Sequence, residues 1–195
     1  MKILVTGANG LLGQKLISLS ESLHEISFVA TGRGKNRNPP GKYEYRQLDV
    51  THQGEVSKVL KEINPDVVIN CAAMTHVDQC ETQQEACWAQ NVTALEYLIA
   101  SCIEVNAFLI HLSTDFIFDG LLGPYAEEAV ANPLSHYGLS KLASEDLLKA
   151  SSVKSAIVRT VLVYGIAHDM SKSNIILWVK HSLEQGKKIQ VINDQ

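Results

Sequence analysis

The chain has 195 residues, of which 46% are hydrophobic and 19% are charged, and its formal net charge is −4. This composition is typical of a globular protein and excludes a disordered or fibrous chain, while the length favours one domain. The negative balance and the lack of a basic stripe in the sequence argue against nucleic acid as a partner.

No apolar run has the form of a signal peptide or the length of a membrane span, so we expect a cytoplasmic protein with no membrane partner. None of the four cysteines lies in a CxxC pair or near histidines at zinc-finger spacing. We therefore expect reduced packing thiols, with no metal site and no disulfide framework. The cysteines are Cys71, Cys80, Cys87 and Cys102.

Apolar runs rich in Val, Ile and Leu alternate along the chain with longer segments of helical periodicity. This alternation predicts βαβ units and an α/β fold, a doubly wound parallel sheet of the Rossmann type with helices on both faces. Strands are predicted at residues 3–6, 26–31, 43–47, 66–71, 108–113, 156–163 and 189–192. Helices are predicted at residues 11–20, 53–62, 83–105, 135–150 and 173–185.

The first predicted strand leads into a glycine-rich turn that opens an amphipathic helix, and residues 6–13 read Thr-Gly-Ala-Asn-Gly-Leu-Leu-Gly. Gly7 permits a tight turn, Gly10 lets the backbone approach a pyrophosphate, and Gly13 lets the helix pack closely on the strand. The pattern predicts dinucleotide binding, and a glycine-rich turn without a ligand is the alternative. The other candidate cofactor contacts in this turn are Asn9, Leu11 and Leu12.

The second predicted strand ends without the acidic residue that reads a ribose hydroxyl about twenty residues after the glycines in many dinucleotide-binding folds. Residues 30–35 read Ala-Thr-Gly-Arg-Gly-Lys, and Arg37 follows. Arg33, with Lys35 or Arg37, can hold a 2′-phosphate through charge-assisted hydrogen bonds. This favours NADP(H) over NAD(H), although a solvated basic loop explains Lys35 and Arg37 equally well.

Tyr137 and Lys141 stand four residues apart and share one face of a predicted helix. A nearby ammonium lowers a phenol pKa from about 10 towards neutrality, which suits a general acid that protonates a carbonyl oxygen as hydride reaches the carbon. An exposed Tyr/Lys pair is the alternative. Thr114, at the carboxyl end of a buried strand, can donate a second hydrogen bond to that oxygen. For the neighbouring Ser113, a hydroxyl that caps the strand end is an equally good explanation.

Other candidate cofactor contacts follow the third and fourth strands. Asp49, followed by Val50, can bond the adenine amine, although an Asp that forms a turn explains it equally well. Asn91 falls inside a predicted helix, where its amide either supports Lys141 through water or lies on the helix surface. Small residues end the fourth strand where a cofactor would lie against backbone, namely Cys71, Ala72 and Ala73.

Six segments carry a resemblance to a known family, and they follow one another in the family's order over nearly the whole chain. They are residues 6–13, 70–81 (Asn-Cys-Ala-Ala-Met-Thr-His-Val-Asp-Gln-Cys-Glu), 113–120 (Ser-Thr-Asp-Phe-Ile-Phe-Asp-Gly), 137–141, 159–160 and 163–165. In these segments the chain resembles the dTDP-4-dehydrorhamnose reductase family of the extended short-chain dehydrogenases/reductases.

The resemblance implies that Thr114, Tyr137 and Lys141 form a catalytic triad that reduces the 4-keto group of a dTDP-linked 6-deoxyhexose with NADPH or NADH. It implies that His76 is variable packing and not a catalytic base. The residues that it places at the floor between nicotinamide and sugar are Thr75, Val77 and Asp78, and further substrate contacts beside Thr114 are Asp115 and Phe116.

Members of this family continue past the position of residues 194–195 into a smaller substrate domain. The resemblance therefore implies that residues 1–195 are the NAD(P)-binding domain, with the substrate domain absent or truncated. We then expect poor binding of the nucleotide sugar by this chain alone. Extended members are often dimers, so the resemblance is compatible with a homodimer, although no self-complementary patch can be read in the sequence.

Two alternative functions remain open. The first is a nucleotide-sugar epimerase or dehydratase of the same extended group, which recycles a tightly bound NAD, and the missing acid after the second strand argues against it. The second is a non-catalytic, NADP-binding regulatory subunit like that of methionine adenosyltransferase, which shares the fold and many of the motifs. An intact set of Thr114, Tyr137 and Lys141 favours chemistry over regulation.

Overall fold

The structure is a computed structural model, and it describes residues 1–168 and 174–190. At its centre is a six-stranded parallel sheet in the spatial order β3-β2-β1-β4-β5-β6. The strands are β1 (Lys2–Thr6), β2 (Ser27–Gly32), β3 (Tyr43–Gln47), β4 (Val67–Asn70), β5 (Phe108–Thr114) and β6 (Ser155–Thr160). This is the strand order of the doubly wound dinucleotide-binding fold, so the predicted fold class is confirmed.

The described helices connect these strands and cover the sheet. They are α1 (Leu11–Ser18), α2 (Gln53–Ile63), α3 (Val77–Thr82), α4 (Gln84–Trp88), α5 (Ala94–Glu104), α6 (His136–Ala150) and α7 (Ile175–Glu184). A π-helical segment (Ala89–Thr93) joins α4 to α5, and 3-10 turns lie at Leu19–Glu21 and Asp115–Ile117. The helix predicted at residues 83–105 is thus a nearly continuous run whose winding changes in the middle.

Besides the changed winding of that helix and shifts of one or two residues at element ends, the structure differs from the predicted elements in three places. Residue 173, the first of the helix predicted at residues 173–185, lies outside the described residues. Helix α3 was not predicted because six residues are too few to establish an amphipathic period. The strand predicted at residues 156–163 ends at Thr160, which is also where its pairing with β5 ends. Of the strand predicted at residues 189–192, the last two residues lie outside the described residues, and residues 189–190 have no regular structure.

Side chains of the central strands alternate between two apolar cores, one on each face of the sheet. Leu4 of β1 packs in the core that contains side chains of α2, α5 and α6. Its neighbours Ile3 and Val5 point to the opposite core, where Ile17 of α1 lies. All four side chains are buried, and each contributes about 1.5–3 kcal/mol relative to an exposed position. Helices therefore cover both faces, as predicted.

The sheet brings three strand ends to one edge, since β1, β4 and β5 end at Thr6, Asn70 and Thr114. Strand order reverses between β1 and β4, because β2 lies on one side of β1 and β4 on the other. A crevice opens at such a switch point, and ligands of open α/β sheets bind there. Among the described helices, none is both long and apolar enough to cross a membrane.

Candidate active site

The glycine turn between β1 and α1 is packed against the end of β4. Gly7 has φ +62°, and a Cβ at this position would lie 2.7 Å from the Ala72 nitrogen and 2.8 Å from the Cys71 oxygen. A Cβ on Gly13 would lie 2.5 Å from the Gly7 oxygen. Gly10, the N-cap of α1, has extended backbone and provides no side-chain cap. The turn thus presents bare backbone and a helix amino end to the crevice, which fits a pyrophosphate.

A cleft of about 560 Å³ opens at this edge of the sheet, a volume in the range of small-molecule and cofactor sites. It brings together most of the predicted site residues from four separate parts of the chain. Those that line it are Gly7, Asn9, Gly10, Leu11, Leu12, Gly13, Cys71, Ala73, Thr75, Val77, Ser113, Thr114, Phe116, Tyr137 and Lys141. The glycine turn and the predicted catalytic residues therefore share one cavity.

Some lining residues were missed by sequence reasoning, and some predicted residues lie off the lining. The missed residues are Asn70, Leu112, Thr160, Val161, Leu162, Val163, Asn174 and Ile175. Several of them follow the end of β6, and the rule that ligands bind at carboxyl ends of strands was enough to identify that segment. The predicted residues that are not part of the lining are Arg33, Asp49, Val50, Ala72, Asp78, Asn91 and Asp115.

Tyr137 lies in the first turn of α6, where only 9% of its surface is exposed. The Ser135 hydroxyl caps this helix by accepting a hydrogen bond from the Gly138 nitrogen at 3.0 Å. The Thr114 hydroxyl donates to the Asp115 carboxylate at 3.1 Å and accepts from the Phe116 nitrogen at 3.2 Å. The Phe116 ring meets the Tyr137 ring edge-on at 5.8 Å between centroids. The phenol thus lies beside the end of β5, where the Thr114 hydroxyl is close enough to influence its pKa.

The acidity of Tyr137 differs from the prediction. Burial raises the pKa of the phenol above its ordinary value, and the nearby Thr114 hydroxyl only partly opposes this effect. We predicted that Lys141 lowers this pKa, but its amine instead donates to the Leu112 oxygen at 2.6 Å. Tyr137 is therefore protonated at neutral pH, which is the form that a proton donor needs.

Lys141 is 2% exposed, and burial lowers its pKa to about 8, with the Glu145 charge acting in the opposite direction. Its Nζ lies 3.1 Å from Nε2 of His111, a buried residue of β5 that sequence reasoning missed. Burial and the Lys141 charge hold the His111 pKa well below its usual range, so this imidazole is neutral. On its other side, Nδ1 lies 3.2 Å from the Asn70 amide nitrogen. The sequence does contain an indication of this role, because His111 is a polar residue inside an otherwise apolar strand.

Asn91 is not on a helix surface, because it is only 2% exposed. It lies in the π-helical segment, a feature frequent at functional sites. Its amide nitrogen donates to the Met74 oxygen at 3.0 Å and to the Ser140 hydroxyl at 2.9 Å, and its oxygen accepts from the Met74 nitrogen at 2.8 Å. Asn91 therefore ties the loop after β4 to α6, the helix that carries Tyr137 and Lys141.

The Ser113 hydroxyl donates to the Glu145 carboxylate at 2.6 Å and so does not cap backbone. Glu145 is fully buried and also accepts two bonds from Arg159, at 2.9 and 2.7 Å. Burial opposes ionisation, but the bonds from Arg159, Ser113 and Lys149 lower the Glu145 pKa to about 2. This ion pair connects α6 to β6, and the Ser113 hydrogen bond connects α6 to β5, the strand that ends at Thr114.

Near the end of β2, Arg33 is exposed, and its charge contributes to the electrostatics of Asp49. Burial raises the Asp49 pKa, but hydrogen bonds from Thr51 and the Arg33 charge outweigh it, so the pKa lies below its usual value. The Asp49 carboxylate accepts from the Thr51 nitrogen at 3.0 Å and from its hydroxyl at 2.8 Å. Asp49 therefore forms a turn, and its contact with adenine stays a prediction.

Within the described residues, no disulfide joins any of the four cysteines. Burial raises the pKa of Cys71 and of Cys102 to about 12, so both are protonated thiols at neutral pH. Within residues 1–168 and 174–190, no group of three or more His, Cys, Asp or Glu side chains is placed to hold a metal ion.

The family model described as RmlD substrate binding domain matches residues 1–195. Among curated relatives, a probable low-salt glycan biosynthesis reductase of Haloferax volcanii is 36% identical over 100% of this chain and 65% of its own length. Methionine adenosyltransferase 2 subunit beta of Xenopus tropicalis is 35% identical over 90% of this chain and 51% of its own. A dTDP-4-dehydrorhamnose reductase of Aggregatibacter actinomycetemcomitans is 34% identical over 84% of this chain and 52% of its own length. The chain thus spans one half to two thirds of these relatives.

Solved structures give the same comparison. A dTDP-4-dehydrorhamnose reductase of Clostridium acetobutylicum superposes with a TM-score of 0.81 at 34% identity, over 100% of this chain and 64% of that one. The Bacillus anthracis dTDP-4-dehydrorhamnose reductase in complex with NADP superposes with a TM-score of 0.80 at 29% identity, over 100% of this chain and 63% of that one. A UDP-glucose 4-epimerase of Thermotoga maritima superposes with a TM-score of 0.86 over 100% of this chain and 66% of that one. Its sequence identity is only 20%, so this likeness shows a shared fold alone.

Proposed function

The chain belongs to the RmlD substrate binding domain family, and from this premise we propose that it is the cofactor-binding and catalytic part of a reductase. The proposed reaction is reduction of the 4-keto group of a nucleotide-linked deoxysugar, with NADP(H) preferred. One observation carries the proposal: Thr114, Tyr137 and Lys141 line the same cleft as the glycine turn. Residues 1–195 then correspond to the NAD(P)-binding domain of the longer relatives.

The fit between the turn and a dinucleotide rests on the backbone contacts at Gly7 and Gly13, which leave no room for side chains. When bound, the dinucleotide supplies the hydride for the carbonyl carbon. Tyr137, protonated because burial raises its pKa, donates its proton to the carbonyl oxygen. The Thr114 hydroxyl, which donates to the Asp115 carboxylate at 3.1 Å in the structure, turns its one proton to the substrate oxygen and gives it a second hydrogen bond. Lys141, one helical turn further, adds positive charge to this buried site.

NADP(H) is the preferred cofactor in this proposal because residues 30–38 contain no acid and three basic residues. An Arg side chain matches a phosphate through two parallel hydrogen bonds. The Bacillus anthracis relative was solved with NADP, which supports the same choice. A nucleotide sugar as substrate, a homodimer as assembly and the cytoplasm as compartment complete the proposal.

The test is oxidation of NADPH by the full-length gene product with dTDP-4-dehydrorhamnose, compared with a Tyr137→Phe variant. Loss of the proton donor should lower kcat by about 10²–10⁴-fold, the range typical of general acid catalysis. NADPH binding should stay unchanged in this variant, which shows that the cleft is intact. Equal turnover by the two proteins would remove Tyr137 from the mechanism.

A regulatory subunit is the second candidate, favoured by the 35% identity to the subunit beta of methionine adenosyltransferase 2. Such a protein would bind NADPH but would not oxidise it with any 4-keto sugar. An epimerase or dehydratase would instead retain NAD through purification and consume no external NADPH. The same purified protein thus separates the three functions by its bound cofactor and its NADPH consumption.

A further inference from the structure

Asn9 lies in the glycine turn, but its side chain contacts the loop after β2, here called the basic loop (residues 33–41). Its amide nitrogen lies 3.3 Å from the Arg33 oxygen and 3.0 Å from the Lys35 oxygen. Its amide oxygen accepts a hydrogen bond from the Arg37 nitrogen at 2.9 Å. The backbones of all three cationic residues of the basic loop are therefore bonded to one side chain.

Further contacts attach the basic loop to its surroundings, among them one to Tyr45 of β3 and one to the glycine turn. The Tyr45 hydroxyl donates to the Gly34 oxygen at 2.9 Å and lies 3.2 Å from the Asn9 amide nitrogen. Asn38, which is 8% exposed, donates to the Ala8 oxygen at 3.1 Å. The loop is thus held against the glycine turn, and its backbone is ordered before any ligand binds.

The cationic side chains themselves are exposed. Among the ion pairs of the described residues, none includes Arg33, Lys35 or Arg37. A flexible exposed cation binds an anion weakly, because ordering its side chain and its backbone opposes the Coulomb attraction. A backbone that is already fixed removes one part of this entropic cost.

We propose that Asn9 is a positioning residue for the phosphorylated cofactor. By fixing the backbone of Arg33, Lys35 and Arg37 it keeps three cations beside the position of the 2′-phosphate, and so determines the preference for NADPH over NADH. Asn9 was predicted from the sequence as a direct cofactor contact, whereas here it acts through the basic loop. This inference rests on the proposed function, in particular on NADP(H) as the preferred cofactor.

The test is titration of this chain with NADPH and with NADH, followed by nucleotide fluorescence or calorimetry, for wild type and Asn9→Ala. The Kd for NADPH should rise about tenfold, as expected for loss of charge-assisted hydrogen bonds, and the Kd for NADH should change by less than about twofold. Hydrogen exchange in the free chain supplies a readout independent of the cofactor. Amides of the basic loop should exchange faster in Asn9→Ala.

Three variants separate the effect of position from the effect of charge. Arg33→Ala should weaken NADPH binding but leave hydrogen exchange in the basic loop slow. Tyr45→Phe removes a second attachment of the loop and should change both quantities in the direction of Asn9→Ala, by a smaller amount. Lys42→Ala removes a cation just outside the basic loop but keeps the backbone nitrogen that donates to the Glu21 carboxylate, and it should change neither quantity.

The outcomes distinguish this inference from the proposed function. If wild type binds NADPH no more tightly than NADH, the proposed cofactor preference is wrong, and this inference fails with it. If wild type prefers NADPH and Asn9→Ala and Tyr45→Phe keep that preference, the role of Asn9 is overturned while the proposed function stands. An equal loss of both cofactors in Asn9→Ala would also overturn it, since that result indicates damage to the glycine turn alone.

Discussion

Replacing Gly13 with alanine tests whether close packing of α1 on the end of β1 builds the cofactor cradle. A Cβ at this position would lie 2.5 Å from the Gly7 oxygen and 2.6 Å from the Ala8 Cα. Both are backbone atoms that cannot rotate away, so α1 must move by roughly 1 Å to reach ordinary contact distance. Overpacking of this kind costs about 1–3 kcal/mol, and the higher helix propensity of alanine returns up to about 1 kcal/mol. We expect a net loss of about 1–2 kcal/mol in the free energy of unfolding.

Gly54→Ala is the matched control, because Gly54 lies in the first turn of α2 and a Cβ there meets nothing within 4 Å. That substitution should stabilise the chain by about 0.5–1 kcal/mol through helix propensity and a less flexible unfolded chain. Urea unfolding of both variants gives the stabilities, and NADPH titration should show weaker binding in Gly13→Ala alone. If Gly13→Ala proved as stable as Gly54→Ala and bound NADPH normally, our account of the turn would be wrong.

Two further predictions concern buried charges, alongside those for Tyr137 and Asn9. Because the Lys141 pKa is lowered from 10.5 to about 8, turnover by the full-length gene product should fall as the pH rises through that value, and a profile flat to about pH 10 would contradict this. Between about pH 8 and pH 10.5 the Lys141 amine is protonated in the unfolded chain but neutral in the folded one. The stability of the wild type relative to Lys141→Met should therefore rise as the pH increases through this interval. Glu145→Gln leaves Arg159 without its ionised partner and should lower stability at pH 7 by about 3 kcal/mol. Since the Glu145 pKa is lowered from 4.5 to about 2, acid unfolding curves of the variant and wild type should converge as pH falls between these values, and a constant difference would refute the assignment.

Features that depend on short stretches of chain were predicted well. Alternating apolar runs predicted the parallel sheet, because the periodicity of a strand or a helix depends on residues that are close in sequence. The spacing of Gly7, Gly10 and Gly13 predicted a tight turn at the start of a helix, and the backbone contacts there explain why glycine is needed. The four-residue spacing of Tyr137 and Lys141 likewise placed both on one face of α6, where both line the cleft.

The motifs and the resemblance correctly assigned residues of distant segments to one cleft, but the particular contacts between those segments were mostly not predicted. Lys141 meets His111 of a strand thirty residues earlier, Asn91 is buried between the β4 loop and α6, and Asn9 binds a loop more than twenty residues away. The acidity of Tyr137 was predicted with the wrong sign, because burial raises the phenol pKa and the Lys141 amine donates to the Leu112 oxygen instead. Periodicity records which face of an element is apolar, but it does not record which polar side chains meet when the elements pack. Those contacts determine the burial, the hydrogen bonding and the charge at the site, and they form only when the sheet and its helices are assembled.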